Sequence, residues 1–299
     1  MADIQADHST NILIINKVHI NQHDYGSQDD ENLRNTIRDY LNPVRTISRQ
    51  SSLDLSRPIL RCASVNAQSL NKPGRLFKAI RLEKKKYGRE IDIFSVCETW
   101  KKEEDKETEI DVDGTKYVVH RFDNPTGQAS QGVAIFAKKS LKSERVEISD
   151  DTIGSKMLPI QVVAVKVTVK KHECIYIEFY KPPQAAYEDE TYMKRFFAVL
   201  KGLVQDEKNF IMTGDSNIDV GPHASSELTE MLNDFVDKCG GQQYVNEYTY
   251  MTNEGNKKTI DLVIAPKSSN DKEAIYVRNI SVDQSNFADH KDIYFDYFM

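Results

Sequence analysis

A run of valines at every second position is the feature that most constrains how this chain can fold. Valine occupies alternate positions over residues 163–169, and Ile175, Ile177 and Phe179 continue the alternation after a short polar break. A period of two predicts β-strands, because successive side chains of a strand point to opposite faces. The two runs are joined through Lys170–Glu173, so they predict an antiparallel hairpin with one face more polar than the other.

Further apolar runs predict strands and amphipathic helices elsewhere in the chain. Runs of strand length lie at Ile59–Val65, Ile91–Cys97, Val133–Ala137, Ile260–Ala265, Ile275–Val282 and Ile293–Phe298. Apolar stripes at helical spacing lie within Gly74–Gly88, along Tyr192, Phe196 and Leu203, and along Leu228, Met231, Leu232 and Phe235. Hairpins interleaved with helices predict two sheets that pack together and are covered by helices. The acidic stretch Lys101–Asp113 is expected to form a surface loop.

The first 57 residues differ from the rest of the chain. Asn11–Ile20 has the composition of a β-stretch, and Asn32–Leu41 forms a helical pattern that Pro43 would end. The serine-rich, charged segment Arg45–Arg57 is typical of a linker. We therefore predict that residues 1–57 are an N-terminal appendage and linker of unknown function, and that residues 58–299 form the main domain.

The composition is that of a globular protein rather than a membrane or disulfide-rich one. Of the 299 residues, 39% are hydrophobic and 29% are charged, and no segment approaches the roughly 18 consecutive apolar residues of a membrane span. The N-terminus is polar and acidic, which is unlike a signal peptide. The four cysteines lack metal-type spacing: Cys62, Cys97, Cys174 and Cys239. Reduced thiols of this kind indicate a nuclear or cytoplasmic protein that is not secreted.

The charge argues against a protein that coats nucleic acid through its overall field. The formal net charge is −6, although a site built of carboxylates is acidic until its cations bind, so a nuclease is not excluded. Two basic clusters could meet phosphates locally: Lys84-Lys85-Lys86 with Arg89, and Lys138-Lys139 with Lys142 and Arg145. Solvated ends of helices or strands are the simpler interpretation of both clusters.

Several predicted strands end in, or contain, a polar side chain that is out of place in an apolar run. These residues are Asn66, Glu98, Tyr180, Asp215, Asn217, Asp261, Asp289 and His290. Taken singly, most of them fit an ordinary structural role as a turn residue, a cap, a core phenol or a surface histidine. Asp261 is the exception, since an unpaired carboxylate inside an apolar strand is costly and requires a partner such as a histidine.

The segment Thr213-Gly-Asp-Ser-Asn-Ile-Asp219 carries the strongest local pattern. It follows the apolar run Phe210–Met212. A buried strand that ends in a carboxylate and a carboxamide two positions apart places both groups on one side of the strand end. This arrangement suits a metal ion and a water molecule, although turns rich in Gly, Asp and Asn have the same composition.

Taken together, these motifs resemble those of the endonuclease/exonuclease/phosphatase superfamily. Within it, they resemble the apurinic-endonuclease-like domains of non-LTR (LINE-type) retrotransposons. The phrases that carry the resemblance are Ser-Val-Asn-Ala-Gln-Ser-Leu-Asn-Lys, Asp-Ile-Phe-Ser-Val-Cys-Glu-Thr-Trp, Gly-Val-Ala-Ile-Phe, Phe-Tyr-Lys-Pro-Pro, Gly-Asp-Ser-Asn, Thr-Ile-Asp-Leu and Ala-Asp-His. They occur in the family's order over about residues 58–299. The resemblance implies an α/β fold, a four-layer sandwich of two mixed, mainly antiparallel sheets flanked by helices.

The resemblance also implies metal-dependent hydrolysis of phosphodiesters, usually nicking of DNA. The cofactor would be Mg²⁺, with Mn²⁺ as an alternative, and DNA would be the substrate. Glu98 would be the principal metal ligand, with Asn66 beside it and Asp289 near the metal. Mg²⁺ prefers oxygen ligands and keeps several waters, so one or two carboxylates with the substrate phosphate suffice.

The remaining residues of the motifs would act on the water and the phosphate. Asp215 would orient or deprotonate the attacking water, and Asn217 would position it and contact the phosphate. Asp261 would accept a hydrogen bond from His290, so that the ring faces a phosphate oxygen. Tyr180 would donate to the phosphate or help to hold the water.

Departures from the family pattern bear on substrate preference rather than on the catalytic groups. Ala288 stands where the family usually has serine, Gln131 where retrotransposon domains often have a further glycine, and Gln68 where some repair endonucleases have an acid. The reverse transcriptase of complete elements does not follow the domain, so an excised domain, a truncated copy or a standalone derivative is expected.

Two other functions fit the same sequence. One is a phosphatase or phospholipase that acts on small phosphoesters through the same core, since one fold hosts many substrates. The other is a non-catalytic binding module that retains the fold and acts through residues 1–57. The complete set of catalytic residue types argues against the second. Protein partners are not predicted by any motif, and no membrane association is expected.

Overall fold

The computed structural model divides the chain into two compact units, residues 1–53 and 54–299. It describes residues 58–70, 78, 80–81, 90–102, 108–125, 131–149, 153, 158–267, 276–285 and 288–299, together with two short strands near the N-terminus. Those strands, β1 (Ile4–Ala6) and β2 (Leu13–Ile15), pair antiparallel. The β-stretch predicted over 11–20 contains β2, whereas the helix predicted over 32–41 and the linker over 45–57 lie outside the described residues.

The second unit contains fifteen described strands and two long helices. The first strands are β3 (Ile59–Asn66), β4 (Ile93–Cys97), β5 (Glu109–Val112), β6 (Thr115–Phe122), β7 (Val133–Lys138), β8 (Lys142–Arg145), β9 (Gln161–Val169) and β10 (His172–Tyr180). The later strands are β11 (Phe210–Asp215), β12 (Gly241–Gln243), β13 (Tyr250–Met251), β14 (Lys257–Lys258), β15 (Asp261–Pro266), β16 (Val277–Gln284) and β17 (Lys291–Phe298). The helices are α1 (Glu190–Val204) and α2 (Glu227–Lys238), and a 3-10 turn spans Ala185–Tyr187.

Thirteen of these strands form two large sheets. The seven-stranded sheet has the order β16-β17-β3-β4-β7-β6-β5, and the six-stranded sheet has the order β12-β15-β11-β10-β9-β8. Within each sheet one pair of central strands is parallel, β3 with β4 and β10 with β11, and all other pairs are antiparallel. A separate small hairpin joins β13 to β14. The predicted pair of mixed, mainly antiparallel sheets is confirmed.

The core lies in three apolar layers that follow from the strand alternation. Val163, Val165 and Val167 face the seven-stranded sheet, where they pack against residues such as Ile93 and Phe295. The opposite side of the six-stranded sheet packs against α1 and α2, whose buried residues include Phe196, Leu200, Leu232 and Phe235. A third layer lies on the outer side of the seven-stranded sheet and includes Phe94, Phe136 and Ile80 of a helical segment. The chain is thus an α/β sandwich with its sheets at the centre.

Local capping residues set where the two helices begin. The carboxylate of Asp189 accepts hydrogen bonds from the backbone N–H groups of Thr191 and Tyr192 at the start of α1. The hydroxyl of Ser226 accepts one from the N–H of Thr229 at the start of α2. Such caps satisfy backbone donors that have no partner within the helix.

Three features of the strands differ from what the sequence indicated. The hairpin of β9 and β10 is buried on both faces, because Val162 and Ala164 pack against the helices and Val163 packs between the sheets. Residues 109–112 form a strand rather than part of a surface loop, since Ile110 and Val112 are buried while their neighbours stay exposed. The edge strand β8 was not predicted because its charged residues conceal any period of two.

Two general properties of the described residues concern cysteines and membranes. All four cysteines are free thiols, and three of them are buried. No helix within the described ranges is long and apolar enough to cross a membrane.

Gly214 allows β10 and β11 to approach each other closely next to the strand ends. Its φ is +148°, and a Cβ at this position would lie 2.0 Å from the backbone carbonyl oxygen of Phe179. No side chain fits at that distance, so glycine is required by both the backbone conformation and the space.

We expect Gly214→Ala to lower the free energy of unfolding by about 3 kcal/mol, because the methyl group must displace the backbone of β10. Gly202 in α1 is the matched control, since a Cβ there would meet nothing within 4 Å. Gly202→Ala should raise stability by up to about 1 kcal/mol. Urea denaturation measures both changes, and equal stability of Gly214→Ala and the unchanged protein would contradict the assignment.

Glu178 of β10 is a carboxyl group buried between the two sheets. Its side chain is 0% exposed, and it accepts hydrogen bonds from the thiol of Cys97 and the hydroxyl of Thr213. Burial raises the pKa of Glu178 to about 7, and the two hydrogen bonds offset part of that rise. The folded protein therefore favours the protonated carboxyl group more than the unfolded chain does.

This raised pKa predicts a pH dependence of stability. The group contributes stability below its unfolded pKa of 4.5, and that contribution is lost as the pH rises through the folded pKa. The loss amounts to about 3 kcal/mol between pH 4.5 and pH 7. Glu178→Gln removes the titration, so the stability difference between the two proteins should change by that amount between pH 5 and pH 8, in favour of the variant. A constant difference would show that Glu178 is ionised throughout.

Candidate active site

The polar strand ends predicted from the sequence meet at one edge of the sandwich. In the six-stranded sheet, Tyr180, Asp215 and Asp261 are register partners on three adjacent strands. In the seven-stranded sheet, Asn66 is paired with Cys97, which directly precedes Glu98. The parallel pairs β3–β4 and β10–β11 send their carboxyl ends to this same edge. The two sheets therefore bring side chains from both halves of the domain into one site.

Glu98 lies where the two sheets meet. Its Oε1 accepts hydrogen bonds from Asn66 Nδ2 at 2.9 Å and from the hydroxyl of Tyr180 at 3.2 Å, and its Oε2 accepts one from Trp100 Nε1 at 3.2 Å. Glu98 has a φ of +53°, which is unusual for a residue other than glycine. Strained backbone of this kind persists where surrounding contacts hold it, and it is common at functional sites.

Asn66 joins Glu98 to Asp215 across the gap between the sheets. Its Nδ2 also donates to Asp215 Oδ2 at 3.0 Å, while its Oδ1 accepts from the backbone N–H of Gln68 at 3.2 Å. Asn66 is 1% exposed. In this arrangement the amide group acts as a bridge between two carboxylates, and its role as a metal ligand stays a prediction.

Asp215 and Asn217 are held by the turn that follows β11. Asp215 is 1% exposed, and its Oδ1 accepts a hydrogen bond from the backbone N–H of Asn217 at 2.9 Å. Asn217 has a φ of +47°, and its Nδ2 donates to the backbone carbonyl of Lys181 at 2.9 Å. The left-handed conformation turns the chain, so that the backbone N–H of Asn217 meets the carboxylate of Asp215 while its carboxamide meets the carbonyl of Lys181.

Asp261 and His290 form a buried pair. The ring Nδ1 of His290 lies 2.9 Å from Asp261 Oδ2, and the ring Nε2 lies 3.9 Å from Asp215 Oδ2. Asp261 accepts the Nδ1 proton, which leaves Nε2 directed toward the carboxylate of Asp215. The ring of Tyr250 lies 4.9 Å from the imidazole, centroid to centroid, and covers one side of it.

The charges of this group shift both of its central pKa values upward. Burial alone would lower the pKa of His290, but the charge and hydrogen bond of Asp261, with Asp215 and Asp289, outweigh it and raise the pKa to about 10. Burial and the charge of Asp261 raise the pKa of Asp215, and His290 opposes that rise. These shifts favour the protonated form of His290 and make Asp215 a stronger base than an ordinary aspartate.

Asp289 lies at the exposed rim of the site. Its side chain is 54% exposed, and its Oδ1 accepts a hydrogen bond from Gln68 Nε2 at 2.6 Å. The same oxygen is 4.0 Å from His290 Nε2. The structure thus places all eight predicted site residues at one edge of the sandwich, with Asp289 and Asn217 toward solvent.

Comparisons with solved structures agree with this architecture. The endonuclease domain of TRAS1, a telomere-specific non-LTR retrotransposon, superimposes with a TM-score of 0.56 at 16% identity, over 80% of this chain and 98% of that one. The 3′ phosphatase NExo from Neisseria, bound to a product DNA hairpin, gives 0.54 at 16% over 80% and 99%. Truncated TDP2 of Caenorhabditis elegans gives 0.53 at 13% over 81% and 98%.

This chain has the endonuclease/exonuclease/phosphatase fold. At 13% to 16% identity, these structures establish the fold and leave the activity to be argued from the site. No protein-family model and no curated protein matches the sequence.

Within this fold, further residues hold the site together that the sequence did not single out. Asp219 Oδ1 accepts hydrogen bonds from the backbone N–H groups of Gly221 at 2.9 Å and Thr259 at 3.0 Å. The hydroxyl of Ser216 donates to the carbonyl of Ile260 at 2.9 Å. These bonds tie the turn after β11 to the start of β15, which carries Asp261. The repeated pattern of Asp and Ser around the turn was visible in the sequence, but its partners were not.

The side chains of the basic cluster at residues 138–145 have partners within the domain. Lys138 forms an ion pair with Glu90, Lys139 with Glu109, and Lys142 with Glu144. The guanidinium of Arg145 donates to the backbone carbonyl of Arg121. The cluster is therefore largely neutralised by nearby acids, as its simpler interpretation required. The cluster at residues 84–89 lies outside the described residues.

The donor atoms around Glu98 fit a hard divalent cation. Glu98 and Asp289 offer carboxylate oxygens from the seven-stranded side of the site, and Mg²⁺ and Mn²⁺ prefer oxygen ligands. A second group, Asp215, Asp261 and His290, has one ligand atom from each residue within 4.8 Å of the others. The Nδ1 of His290 is bonded to Asp261 in this structure, and Glu98 as the position of the ion stays a prediction.

Glu98→Gln tests that position. We expect the variant to need at least about tenfold more Mg²⁺ for half-maximal phosphodiester hydrolysis, because a neutral amide replaces the anionic ligand. A titration of the rate against Mg²⁺ concentration measures the change. Glu144→Gln, on the exposed edge strand β8, is the control and should leave the titration unchanged. Identical Mg²⁺ titrations for Glu98→Gln and the unchanged protein would place the ion elsewhere.

Proposed function

We propose that this chain is a metal-dependent phosphodiester hydrolase that cuts DNA, with Mg²⁺ as its cofactor and nicking of duplex DNA as its activity. The single observation that carries the proposal is the pair of hydrogen bonds from Asn66 Nδ2 to Glu98 and Asp215. They hold a candidate metal ligand and a candidate general base opposite each other at the junction of two sheets. A scaffold that only retained the fold would not need this convergence of buried charges.

The proposed roles follow from the position and charge of each side chain. Asp215, with its raised pKa, would accept a proton from the attacking water. The carboxamide of Asn217 would orient that water. His290, held as a cation by Asp261, would donate from Nε2 to a phosphate oxygen and stabilise the charge that develops there.

Two further groups complete the site. The hydroxyl of Tyr180 points to Glu98 and would orient that carboxylate or donate to the phosphate. Glu98, with Asp289 at the rim, would hold a divalent cation. When bound, such an ion polarises the phosphoryl group and neutralises the charge of the leaving oxygen.

DNA is proposed as the substrate on two grounds. The resemblance noted in the sequence is to domains that nick DNA, and the structural neighbours include a 3′ phosphatase bound to a DNA hairpin. The ring of Tyr248 lies under the ammonium groups of Lys291, which follows His290 in the chain, at 3.3 Å and of Lys257 at 4.7 Å. A basic and aromatic surface at the rim of the site suits an anionic, base-containing polymer.

The substrate class is tested by a comparison of esters under identical Mg²⁺ conditions. The set consists of an end-labelled DNA duplex, a single-stranded oligonucleotide with a 3′ phosphate, bis(p-nitrophenyl) phosphate and p-nitrophenyl phosphate. We expect internal cleavage of the duplex, weak hydrolysis of the small diester and none of the monoester. Release of only the terminal 3′ phosphate, or turnover of only the monoester, would replace the endonuclease proposal by a phosphatase.

A further inference from the structure

Five buried polar side chains interrupt the apolar layer between the two sheets. We refer to them as the inter-sheet polar cluster: Ser95 and Cys97 of β4, Tyr176 and Glu178 of β10, and Thr213 of β11. None of the five is more than 1% exposed. Polar groups in such a layer are costly unless each has a partner, so their presence requires an explanation.

Hydrogen bonds within the cluster cross from one sheet to the other. The thiol of Cys97 donates to Glu178 Oε1 at 2.9 Å and lies 3.2 Å from the carbonyl of Phe179. The hydroxyl of Thr213 donates to Glu178 Oε2, and the Oγ of Ser95 lies 3.1 Å from both the Tyr176 hydroxyl and the Thr213 Oγ1. Thr213 is the neighbour of Glu178 within the six-stranded sheet, so the bond that ties Glu178 to the other sheet is the one from Cys97. Ser95 adds two further contacts between the sheets, to Tyr176 and Thr213.

Three members of the cluster come one or two positions before an active-site residue in the chain. Cys97 immediately precedes Glu98, and Glu178 comes two positions before Tyr180. Thr213 comes two positions before Asp215, and the backbone N–H of Asp215 lies 3.4 Å from the sulfur of Cys97. A movement of one sheet relative to the other would thus change the contacts of Glu178 and the distance between Glu98 and Asp215 together.

We propose that Glu178 is a positioning residue that fixes the metal-binding side of the site relative to the side that activates the water. The proposal rests on the phosphodiester hydrolase function given above. Apolar contacts are not directional and permit small shifts between sheets, whereas hydrogen bonds fix distance and angle. Asn66 requires this accuracy, because its one amide group donates to carboxylates of both sheets at 2.9 and 3.0 Å.

The decisive variant is Glu178→Met, which keeps the volume and removes both acceptors. Both donors still have a hydrogen-bond acceptor in the variant. For Cys97 it is the Phe179 carbonyl, and for Thr213 it is the Ile177 carbonyl at 3.3 Å. Replacement of a buried ionisable group by an apolar one is often neutral or stabilising. We expect unchanged or higher stability together with a 10- to 100-fold lower kcat and an unchanged KM, since misplacement by about 1 Å is enough to cause such a loss.

Two further variants separate positioning from simple packing. Glu178→Gln keeps an acceptor for Cys97 and should retain kcat within about threefold. Cys174→Ala removes a fully buried side chain at the far end of the same strand and layer, so it should lower stability without changing kcat. If Glu178→Met unfolds, Thr213→Val removes the donor to Glu178 and the contact with Ser95 across the sheets with little change in volume, and it should show the same loss of kcat. Full kcat in the folded variant would overturn the proposal.

An NMR measurement without substrate tests whether Glu178 positions the groups around Asn66. The side-chain amide of Asn66 gives its own pair of nitrogen-attached proton signals by NMR, and both hydrogen bonds should protect it from solvent exchange. We expect this protection to fall in Glu178→Met and to persist in Glu178→Gln. Unchanged protection in Glu178→Met would overturn the positioning role. If the unchanged protein cuts no phosphodiester, the proposed function fails, while this exchange measurement still decides the role of Glu178.

Discussion

Asp215→Asn should lower the rate of phosphodiester hydrolysis by about 10³-fold while the protein remains folded. The carboxylate is buried, is bonded to Asn66 and Asn217, and has a pKa raised above that of an ordinary aspartate. An amide of the same shape keeps an acceptor for the backbone N–H of Asn217 but cannot take a proton from water, and general bases contribute about 10² to 10⁴ in rate. Single-turnover cleavage of a labelled duplex measures the loss.

Its control is Asp234→Asn on the exposed face of α2, where the carboxylate forms an ion pair with Lys238. That variant should cut DNA at the unchanged rate, because exposed ion pairs contribute little. Thermal unfolding of both variants shows whether the fold is intact. A rate for Asp215→Asn within tenfold of the unchanged protein would exclude Asp215 as the base.

His290→Ala should lower the same rate by about 10²- to 10³-fold, because it removes the cationic donor that is proposed to face the phosphate. Asp261 holds the ring, because its Oδ2 lies 2.9 Å from His290 Nδ1, so the loss of either residue should lower the rate. Asp261→Asn alone should therefore produce most of the effect, and the double variant should be little worse than His290→Ala. Non-additivity of this kind is expected of residues that act as a unit.

The pH dependence of the same reaction gives an independent check on His290. With a pKa raised to about 10, the ring loses its proton only at alkaline pH, so activity should decline as the pH approaches 10. Deprotonation of Asp215, whose pKa is also raised, should set the rise of activity on the acidic side. His223→Ala is the matched control, since that histidine is exposed on the loop before α2. Equal rates for His290→Ala and His223→Ala would show that the buried imidazole takes no part in the reaction.

Strand periodicity placed polar residues at strand ends, and the family resemblance grouped them into one candidate site, whereas the pair contacts depended on register. The cost of a lone carboxylate in an apolar strand pointed to a histidine partner for Asp261, and the structure places His290 beside it. In contrast, the row formed by Tyr180, Asp215 and Asp261 arises from the pairing of three strands that are distant in the sequence. No local pattern specifies that β11 pairs with both β10 and β15.

The elements that the sequence did not predict share a physical cause. The edge strand β8 and the outer strand β5 carry charged residues at alternate or successive positions, so their apolar signal is weak. They form because a neighbouring strand offers backbone partners, which is a tertiary effect rather than a local preference. Glu178 was missed for a related reason, because an acid in an alternating strand was interpreted as part of a more polar face.

Nicking of supercoiled plasmid DNA with Mg²⁺ is the most direct test of the central claim that this edge of the sandwich hydrolyses phosphodiesters. The reaction is run with the unchanged protein, Asp215→Asn and His290→Ala, each with and without EDTA. We predict conversion to the open circular form by the unchanged protein only, and its complete loss in EDTA. Nicking that persists in both variants would contradict the account, and so would nicking that persists in EDTA.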